Sequence, residues 1–179
     1  METTNKTADS TASGRLEALY VEHAPRALRF AYYLSGDREQ ALDLVQDALV
    51  RIAGRFSYLR RPDVFETYLR RSIFNLHTSR LRRLRLERAH LAREASKPTP
   101  SAEQSDPAER DEVWHAILEL PARQRAAIAL RFYEDLSERQ SAEIVGCSVG
   151  ALNQLVVRAT ATLREVRRRP CWSERLGWT

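Results

Sequence analysis

The stretch Leu136–Arg158, LSERQSAEIVGCSVGALNQLVVR, predicts two short helices joined by a tight turn. Ser137 is an N-cap residue, and Gln140 three positions later completes a capping-box pattern. Gly146 follows the first helix and is the residue type that accepts a left-handed conformation at a helix end. Ser148 then caps the second helix. The pattern predicts a helix-turn-helix, whose second helix usually enters the DNA major groove. A buried helix pair in an all-α core is the alternative interpretation.

Composition favours a helical chain that associates with a polyanion. The 179 residues include 29 Lys and Arg against 24 Asp and Glu, which gives a net charge of +5. All but two of the basic residues are arginine, and the planar guanidinium suits phosphate recognition. Glycine is scarce and no alternating strand pattern is present, so we expect an all-α fold.

The sequence shows no pattern typical of a catalytic centre, a metal site or a membrane span. Cys147 and Cys171 are far apart, and the histidines have no cysteine partners at ligand spacing. We therefore expect no metal, no cofactor and a reducing, cytoplasmic location. No nucleophile–base pair or phosphate loop indicates an enzyme. The polar N-terminus has no apolar core, and no run of 18 apolar residues predicts membrane insertion.

Changes in composition divide the chain into two small helical domains joined by a flexible linker. The linker is rich in Ser, Ala, Glu and Pro and lacks large apolar residues. We expect five parts: a disordered tail 1–13, a first domain 14–93, a linker 94–105, a second domain 106–169 and a C-terminal tail 170–179. No role is predicted for Trp172 and Trp178 in the last part.

The second predicted helix, about Arg38–Ala53, carries acidic residues one turn apart. Glu39, Asp43 and Asp47 share one face, where like charges repel one another. This row fits either a solvated face or a surface that meets a basic partner. Its buried face is predicted by apolar residues at helical spacing: Leu42, Val45, Leu49 and Ile52.

The third predicted helix runs from about Pro62 to the high 80s and is rich in arginine. Arginines interleaved with exposed aromatic residues suit single-stranded nucleic acid, since guanidinium groups contact phosphates while aromatic rings stack on bases. The alternative is a solvated helix whose arginine stems lie along apolar surface. Its core stripe is predicted to be Phe65, Leu69, Ile73 and Leu76.

Three blocks of the sequence resemble bacterial RNA polymerase sigma factors of the extracytoplasmic-function group in the sigma-70 family. They are LSGDREQALDLVQDALVRI, TYLRRSIFNLHTSRLRR and LPARQRAAIALRFYEDLSERQSAEIVGCSVG. The resemblance covers about Leu16–Arg167 and implies a non-enzymatic, alternative-sigma initiation factor. It implies core RNA polymerase and promoter DNA as partners, with a sigma region 2-like domain followed by a region 4-like helix-turn-helix domain. Members of this group are often held by an anti-sigma protein.

The resemblance and the charge pattern together indicate three sets of site residues. The block ALDLVQD implies polymerase binding by Asp43, Leu44, Gln46 and Asp47. The segment Phe56–Asn75 resembles the part that captures a flipped −10 base, with Tyr68 where the family usually has Trp. The −10 set is Tyr68, Arg70, Arg71, Asn75, Arg80, Arg82 and Arg83. The −35 set is Arg131, Ser148, Asn153, Gln154 and Arg158.

The second helix of the helix-turn-helix departs from the family pattern. Asn153, Gln154, Leu155 and Val157 replace the usual Lys, Ser, Arg and His. Asn and Gln can recognise adenine in the major groove, whereas Val157 with Val156 suits contact with a protein. Two further functions therefore stay open: a free-standing helix-turn-helix regulator, and a sigma-like interaction module with weakened −35 recognition.

Overall fold

The structure, a computed structural model, describes residues 3–53, 64–94 and 112–168, with side chains mainly from 17–53, 64–90 and 113–165. These residues form helices and no strand, which confirms the predicted all-α fold. In chain order the helices are α1 (Thr3–Ser35), α2 (Arg38–Ala53), α3 (Phe65–Glu94), α4 (Glu112–Glu119), α5 (Ala122–Ile128), α6 (Glu138–Val145) and α7 (Val149–Arg168).

The chain divides into two compact units, Met1–Glu87 and Arg88–Thr179. The division falls earlier than the predicted linker 94–105, and α3 runs through it to Glu94. The remainder of that linker lies outside the described residues, as does the tail 170–179. The domain bounds 14–93 and 106–169 therefore stay predictions.

Helix α1 begins at Thr3, so the prediction of a disordered tail over 1–13 was wrong for this structure. The tail contains no proline and no glycine, and a helix adds residues easily once a packed segment has nucleated it. Pro25 lies inside α1 and does not end it. The single backbone hydrogen bond that proline loses is offset by the burial of Ala27, Phe30 and Leu34 on the same helix.

Helix α2 packs against α1 through small and branched side chains. Its N-terminus is capped, because Asp37 Oδ1 accepts the Gln40 N–H at 2.7 Å. The buried face differs from the predicted stripe: Leu42 is 49% exposed, whereas Leu44 is 2% exposed. Close approach to α1 favours the face with two alanines, which turns Leu42 outward. The buried residues are Ala41, Leu44, Val45, Ala48 and Ile52.

Helix α3 buries the predicted stripe of Phe65, Leu69, Ile73 and Leu76, which confirms this part of the core. The stripe ends at Leu76 and His77. From Leu81 to His90 the described side chains are half-buried or exposed. The N-terminal half of α3 therefore belongs to a packed core, and the side chains of the arginine-rich half that follows lie mostly at the surface.

In the second unit, α7 packs on α4, α5 and α6. Leu120, Ile128 and Ala159 form a buried cluster, with Val156 and Leu163 packed against it. A π-helical segment, Ala129–Tyr133, continues α5 as far as the turn that leads into α6. Among the described residues no single helix is long and apolar enough to cross a membrane, although the bent pair Glu138–Val145 and Val149–Glu165 passes on length and composition.

The helix-turn-helix forms as the sequence predicts. Both halves of the capping box between Ser137 and Gln140 are present, and Ser148 Oγ accepts the Ala151 N–H at 3.2 Å. Gly146 is left-handed with φ 67°, and its N–H donates to Glu143 O at 3.3 Å. The Cys147 N–H donates to Ala142 O at 3.0 Å, and together these two bonds form a Schellman motif.

Replacing Gly146 by alanine should destabilise the second unit by about 1–2 kcal/mol, because an L-residue pays that cost in a left-handed conformation. The space around a new Cβ is open, so backbone strain alone accounts for the loss. The matched control is Gly150→Ala, which adds a methyl group in equally open space within α7. Urea unfolding followed by circular dichroism measures both variants. Equal stability of the two would contradict the turn assignment.

Candidate functional site

The exposed face of α2 carries three of the four predicted polymerase-binding residues. Asp43, Gln46 and Asp47 are exposed and lie three or four residues apart, so they share one face. Leu44 was predicted to join them, but it lies in the core behind this face, and that prediction was wrong. The exposed apolar residues on this side of α2 are instead Leu42 and Val50. We call Leu42, Asp43, Gln46, Asp47 and Val50 the α2 face.

One carboxylate of the α2 face pairs with an arginine of α3. Arg80 Nη2 lies 3.6 Å from Asp43 Oδ2, and both side chains are largely exposed. Arg80 was predicted to contact −10 DNA, and in the structure its guanidinium links α3 to α2. An exposed pair of this kind contributes about 0–1 kcal/mol, so either partner can exchange it for an intermolecular contact.

Four of the predicted −10 residues form a continuous stripe along α3. Tyr68 is half-buried, whereas Arg71, Asn75 and Arg82 are exposed. These positions fall on one side of a helix because they follow one another in steps close to whole turns. We call them the α3 stripe. The residues 54–63, which hold part of the predicted base-capturing segment Phe56–Asn75, lie outside the described residues.

Arg70 was predicted to contact DNA, but it is 3% exposed and belongs to a polar cluster inside the first unit. Its Nη1 lies 2.7 Å from Glu66 Oε1. Arg26 Nη1 approaches the same oxygen at 3.4 Å and His23 Nδ1 at 3.9 Å. Position 70 follows the buried Leu69 and lies one turn from Ile73 and Phe74, so helical phase turns it inward.

The cluster around Glu66 controls the charge of its carboxyl group. Burial raises the pKa of Glu66, but the hydrogen bond and charge of Arg70, with His23 and Arg26, hold it below its usual value. A lowered carboxyl pKa gives stability that is present above the unfolded-state pKa and lost as pH falls through the folded-state pKa. The cluster therefore ties α3 to α1 at neutral pH and weakens on acidification.

Arg83 is strongly exposed, yet it is engaged within α3. Its Nε donates to Glu87 Oε1 at 2.7 Å, and the hydrogen bond and charge of Glu87 raise the pKa of Arg83. The pair lies one helical turn apart on the solvated end of the helix. A role of Arg83 in DNA contact stays a prediction, and such contact has to compete with Glu87.

The helix-turn-helix exposes most of the residues predicted to contact −35 DNA. Ser148, Gln154 and Arg158 are exposed, and Asn153 is half-buried. Ser148 also caps α7, so its hydroxyl oxygen is partly used within the protein. Asn153 Nδ2 donates to Glu138 Oε2 at 3.3 Å, which links α7 to the first residue of α6.

Three arginines of the segment around α5, among them the predicted DNA contact Arg131, make internal contacts. Arg131 Nη1 donates to the carbonyl of Leu136, which closes the turn after the π-helical segment. Arg125 donates to Leu118 O and Leu120 O, and burial lowers the pKa of Arg125. Arg123 Nη2 donates to Val145 O at 3.3 Å, at the end of α6. These guanidinium groups satisfy carbonyls at the ends of α4 and α6 and in the turn before α6, and DNA contact by Arg131 stays a prediction.

The two valines predicted to meet a protein have different environments. Val157 is 60% exposed, but Val156 packs against the buried cluster of the second unit. The prediction for Val156 was therefore wrong, because its helical phase places it with Leu152 and Ala159. One exposed valine is an ordinary surface feature and does not form an interaction patch.

Comparison with known proteins assigns both units to one family. Residues 19–87 match the family model of Sigma-70 region 2, and residues 110–163 match that of Sigma-70, region 4. The chain is 32% identical over 138 residues to the RNA polymerase sigma-E factor of Streptomyces coelicolor, covering 77% of each chain. It is 30% identical over 165 residues to the ECF RNA polymerase sigma factor SigE of Mycolicibacterium smegmatis, covering 89% of this chain and 64% of that one.

The chain belongs to the extracytoplasmic-function group of RNA polymerase sigma factors. Its function is that of an alternative sigma factor in transcription initiation. Solved structures agree on the fold. The sigma factor RpoE of Bartonella quintana, solved with the anti-sigma factor NepR, matches with a TM-score of 0.67 and 24% identity over 86% of this chain and 97% of that one. CnrH, solved in complex with the cytosolic domain of CnrY, matches with a TM-score of 0.62 and 23% identity over 90% of this chain and 92% of that one.

Sequence reasoning missed two features of this sigma factor. Leu42 was assigned to the core and Val50 was not singled out, although Ala41 and Ala48 already mark the packed side of the helix. Glu138 was not singled out, because a contact between residues 15 positions apart depends on the angle between α6 and α7. No spacing rule within a single helix finds such a pair.

Arg70→Met should destabilise the first unit by about 1–3 kcal/mol, because it leaves the half-buried Glu66 carboxylate without its nearest donor. The variant should also lose less stability than the wild type on acidification, since the pKa of Glu66 returns toward its usual value. Arg71→Met is the matched control, because the neighbouring side chain is exposed. Thermal unfolding between pH 4 and pH 7 distinguishes the two. A larger effect at position 71 would contradict the burial assignment.

Proposed function

We propose that the α2 face of this sigma factor binds core RNA polymerase. The observation that supports the proposal is the placement of Asp43, Gln46 and Asp47 on one exposed side of α2, directly opposite its buried side. Leu44 contributes indirectly, because its burial fixes the rotation of α2 about its axis against α1. Leu42 and Val50 add apolar area at the margins of the acidic residues.

Electrostatics and apolar contact act together in this proposed docking. Asp43 and Asp47 are one helical turn apart and repel each other mildly in the free chain, so a basic partner relieves the repulsion as it binds. The Asp43–Arg80 pair is weak and exposed, so the partner can replace it at little cost. Replacement of that pair frees the Arg80 guanidinium, which lies on the side of α3 that faces α2 and not in the α3 stripe.

We propose that the α3 stripe holds the unpaired strand of the −10 element. The Tyr68 ring offers a stacking surface, and Asn75 offers both a donor and an acceptor to a base edge. Arg71 and Arg82 lie along the same side of the helix, at positions suited to phosphate contact. The packed core beneath the stripe holds these groups at fixed spacing. Fixed spacing favours capture of a separated DNA strand, because little side-chain order has to be gained on binding.

We propose that α7 recognises the −35 element through Asn153 and Gln154, with Arg158 contacting phosphate. These residues lie in the first half of the second helix of the helix-turn-helix, which is the part that usually contacts base edges. Arg123, Arg125 and Arg131 bond to carbonyls within the protein, which leaves fewer of their N–H groups for phosphate. Binding at −35 therefore depends more on base contacts here than in relatives with basic residues on this helix.

The chemistry of the reaction belongs to the polymerase in this proposal, and the sigma factor contributes binding and strand capture without a catalytic group. Its site of action is then the cytoplasm, where the chromosome is transcribed. We propose in addition that an anti-sigma protein covers the α2 face. The exposed apolar side chains of Leu42 and Val50 support a protein cover in the free chain. The sigma factor RpoE and the protein CnrH, both of similar fold, were each solved with a protein partner.

Reversing both acids in Asp43→Arg/Asp47→Arg should abolish co-purification with core polymerase, because the α2 face then repels a basic partner. Circular dichroism should show unchanged helical content, since both side chains are exposed. The matched control is Glu17→Arg/Glu22→Arg, which makes the same change of net charge on the exposed surface of α1. Undiminished polymerase binding by the first variant, or equal loss by the control, would remove the α2 face from this role.

Tyr68→Ala with Asn75→Ala should leave polymerase binding intact and reduce strand opening, because the variant loses a stacking surface worth roughly 1–3 kcal/mol per base. Permanganate footprinting of thymines at the −10 element measures the opening. Tyr20→Ala is the control, since it removes an exposed aromatic ring from α1 instead. Normal opening by the double variant would exclude the α3 stripe from strand capture.

A further inference from the structure

The contact between Glu138 and Asn153 joins the two helices of the helix-turn-helix at their DNA-facing ends. Glu138 is the first residue of α6, and Asn153 lies near the start of α7. Asn153 Nδ2 is 3.3 Å from Glu138 Oε2. Glu138 is exposed and Asn153 is half-buried, so the pair lies at the edge of the surface that faces the major groove.

The chemistry of the pair decides which end of the Asn153 amide is held. A carboxylate oxygen only accepts hydrogen bonds, so it must face the amide NH₂ group and not the amide oxygen. Asn153 Oδ1 accepts no hydrogen bond from another described residue. The contact with Glu138 therefore selects one of the two flipped orientations of the Asn153 amide, which are otherwise similar in energy. In that orientation the amide presents its Oδ1 acceptor beside the one N–H donor that Glu138 does not use.

We infer that Glu138 is a positioning residue that gives this sigma factor a preference for adenine at the base opposite Asn153. The inference rests on the proposed −35 function of α7. Adenine offers the N6 amino donor to Oδ1 and the N7 acceptor to the second Nδ2–H. The first Nδ2–H stays on Glu138, so the Oδ1 acceptor and both Nδ2–H donors of the side chain are used.

The anchored amide discriminates against the other bases for a definite reason in each case. Guanine presents two acceptors, O6 and N7, so its O6 faces Oδ1 and repels it. Cytosine presents the N4 amino donor alone and makes one bond, and thymine presents the O4 acceptor and a methyl group. The expected order is therefore adenine first, cytosine second, and guanine and thymine last.

Glu138 also affects general DNA affinity, and this effect distinguishes a positioning role from a purely electrostatic one. Its carboxylate repels phosphate oxygens, so removing it raises affinity for every duplex while it frees the Asn153 amide to rotate. Glu138→Ala should thus bind all −35 sequences more tightly and distinguish them less. Glu138→Gln keeps an acceptor oxygen for Nδ2, so it should raise affinity but retain the adenine preference.

The test uses holoenzyme assembled from core polymerase and the full-length chain. Binding is titrated against promoter duplexes that share one −10 element and carry each of the four bases at every −35 position. The variants are Glu138→Ala, Glu138→Gln, Asn153→Ala and the Glu138→Ala/Asn153→Ala pair. Glu143→Ala is the charge control, because Glu143 is exposed on α6 and its charge is removed without touching Asn153.

The expected result is an adenine preference of about tenfold in the wild type, within the range for one bidentate contact. Asn153→Ala and Glu138→Ala should each remove most of it, and the double variant should show no further loss. Glu138→Gln and Glu143→Ala should keep it. A preference lost in Asn153→Ala but kept in Glu138→Ala would overturn the inference and leave the proposed −35 function intact. Absence of any base preference in the wild type would instead overturn the −35 proposal itself.

Discussion

The left-handed turn at Gly146 is the constraint on which the second unit depends. With φ at 67°, this residue ends α6 and redirects the chain into α7 within two residues. The Schellman bonds and the Arg123 side chain satisfy three carbonyls at the end of α6. Because those bonds fix the angle between the helices, they also fix which residues of α6 and α7 meet. The contact of Glu138 with Asn153, and with it the orientation of a base-contacting amide, follows from this turn.

Helical phase separates the structural from the functional residues in the first unit. On α2 the buried side carries small and branched residues, and the acids occupy the opposite side. On α3 two consecutive arginines have opposite environments, since Arg70 is bound to Glu66 in the interior and Arg71 is exposed. Composition alone counts both as DNA-binding candidates. The exposed Asp43–Arg80 pair joins the α2 face to α3.

Much of the fold could be predicted from the sequence, because caps and glycines act locally. The capping box at Ser137, the turn at Gly146 and the core stripe of α3 all depend on spacing within a few residues. The errors concern choices made by packing between helices. Leu42 was predicted to be buried and is exposed, and Leu44 was predicted to bind polymerase and is buried, because the alanines of α2 decide which side approaches α1. Helix α1 also began earlier than expected, since composition underestimates how far a packed helix extends.

Transcription from natural promoters tests the central claim of sigma-factor activity most directly. Core polymerase from the same bacterium would be incubated with and without the purified chain on a library of genomic promoter fragments, and transcript starts would be mapped. Sigma-factor activity predicts discrete starts that appear only when the chain is present, preceded at constant distance by shared −10 and −35 elements. A start pattern that is the same with core polymerase alone, or no transcript from any fragment, would contradict it.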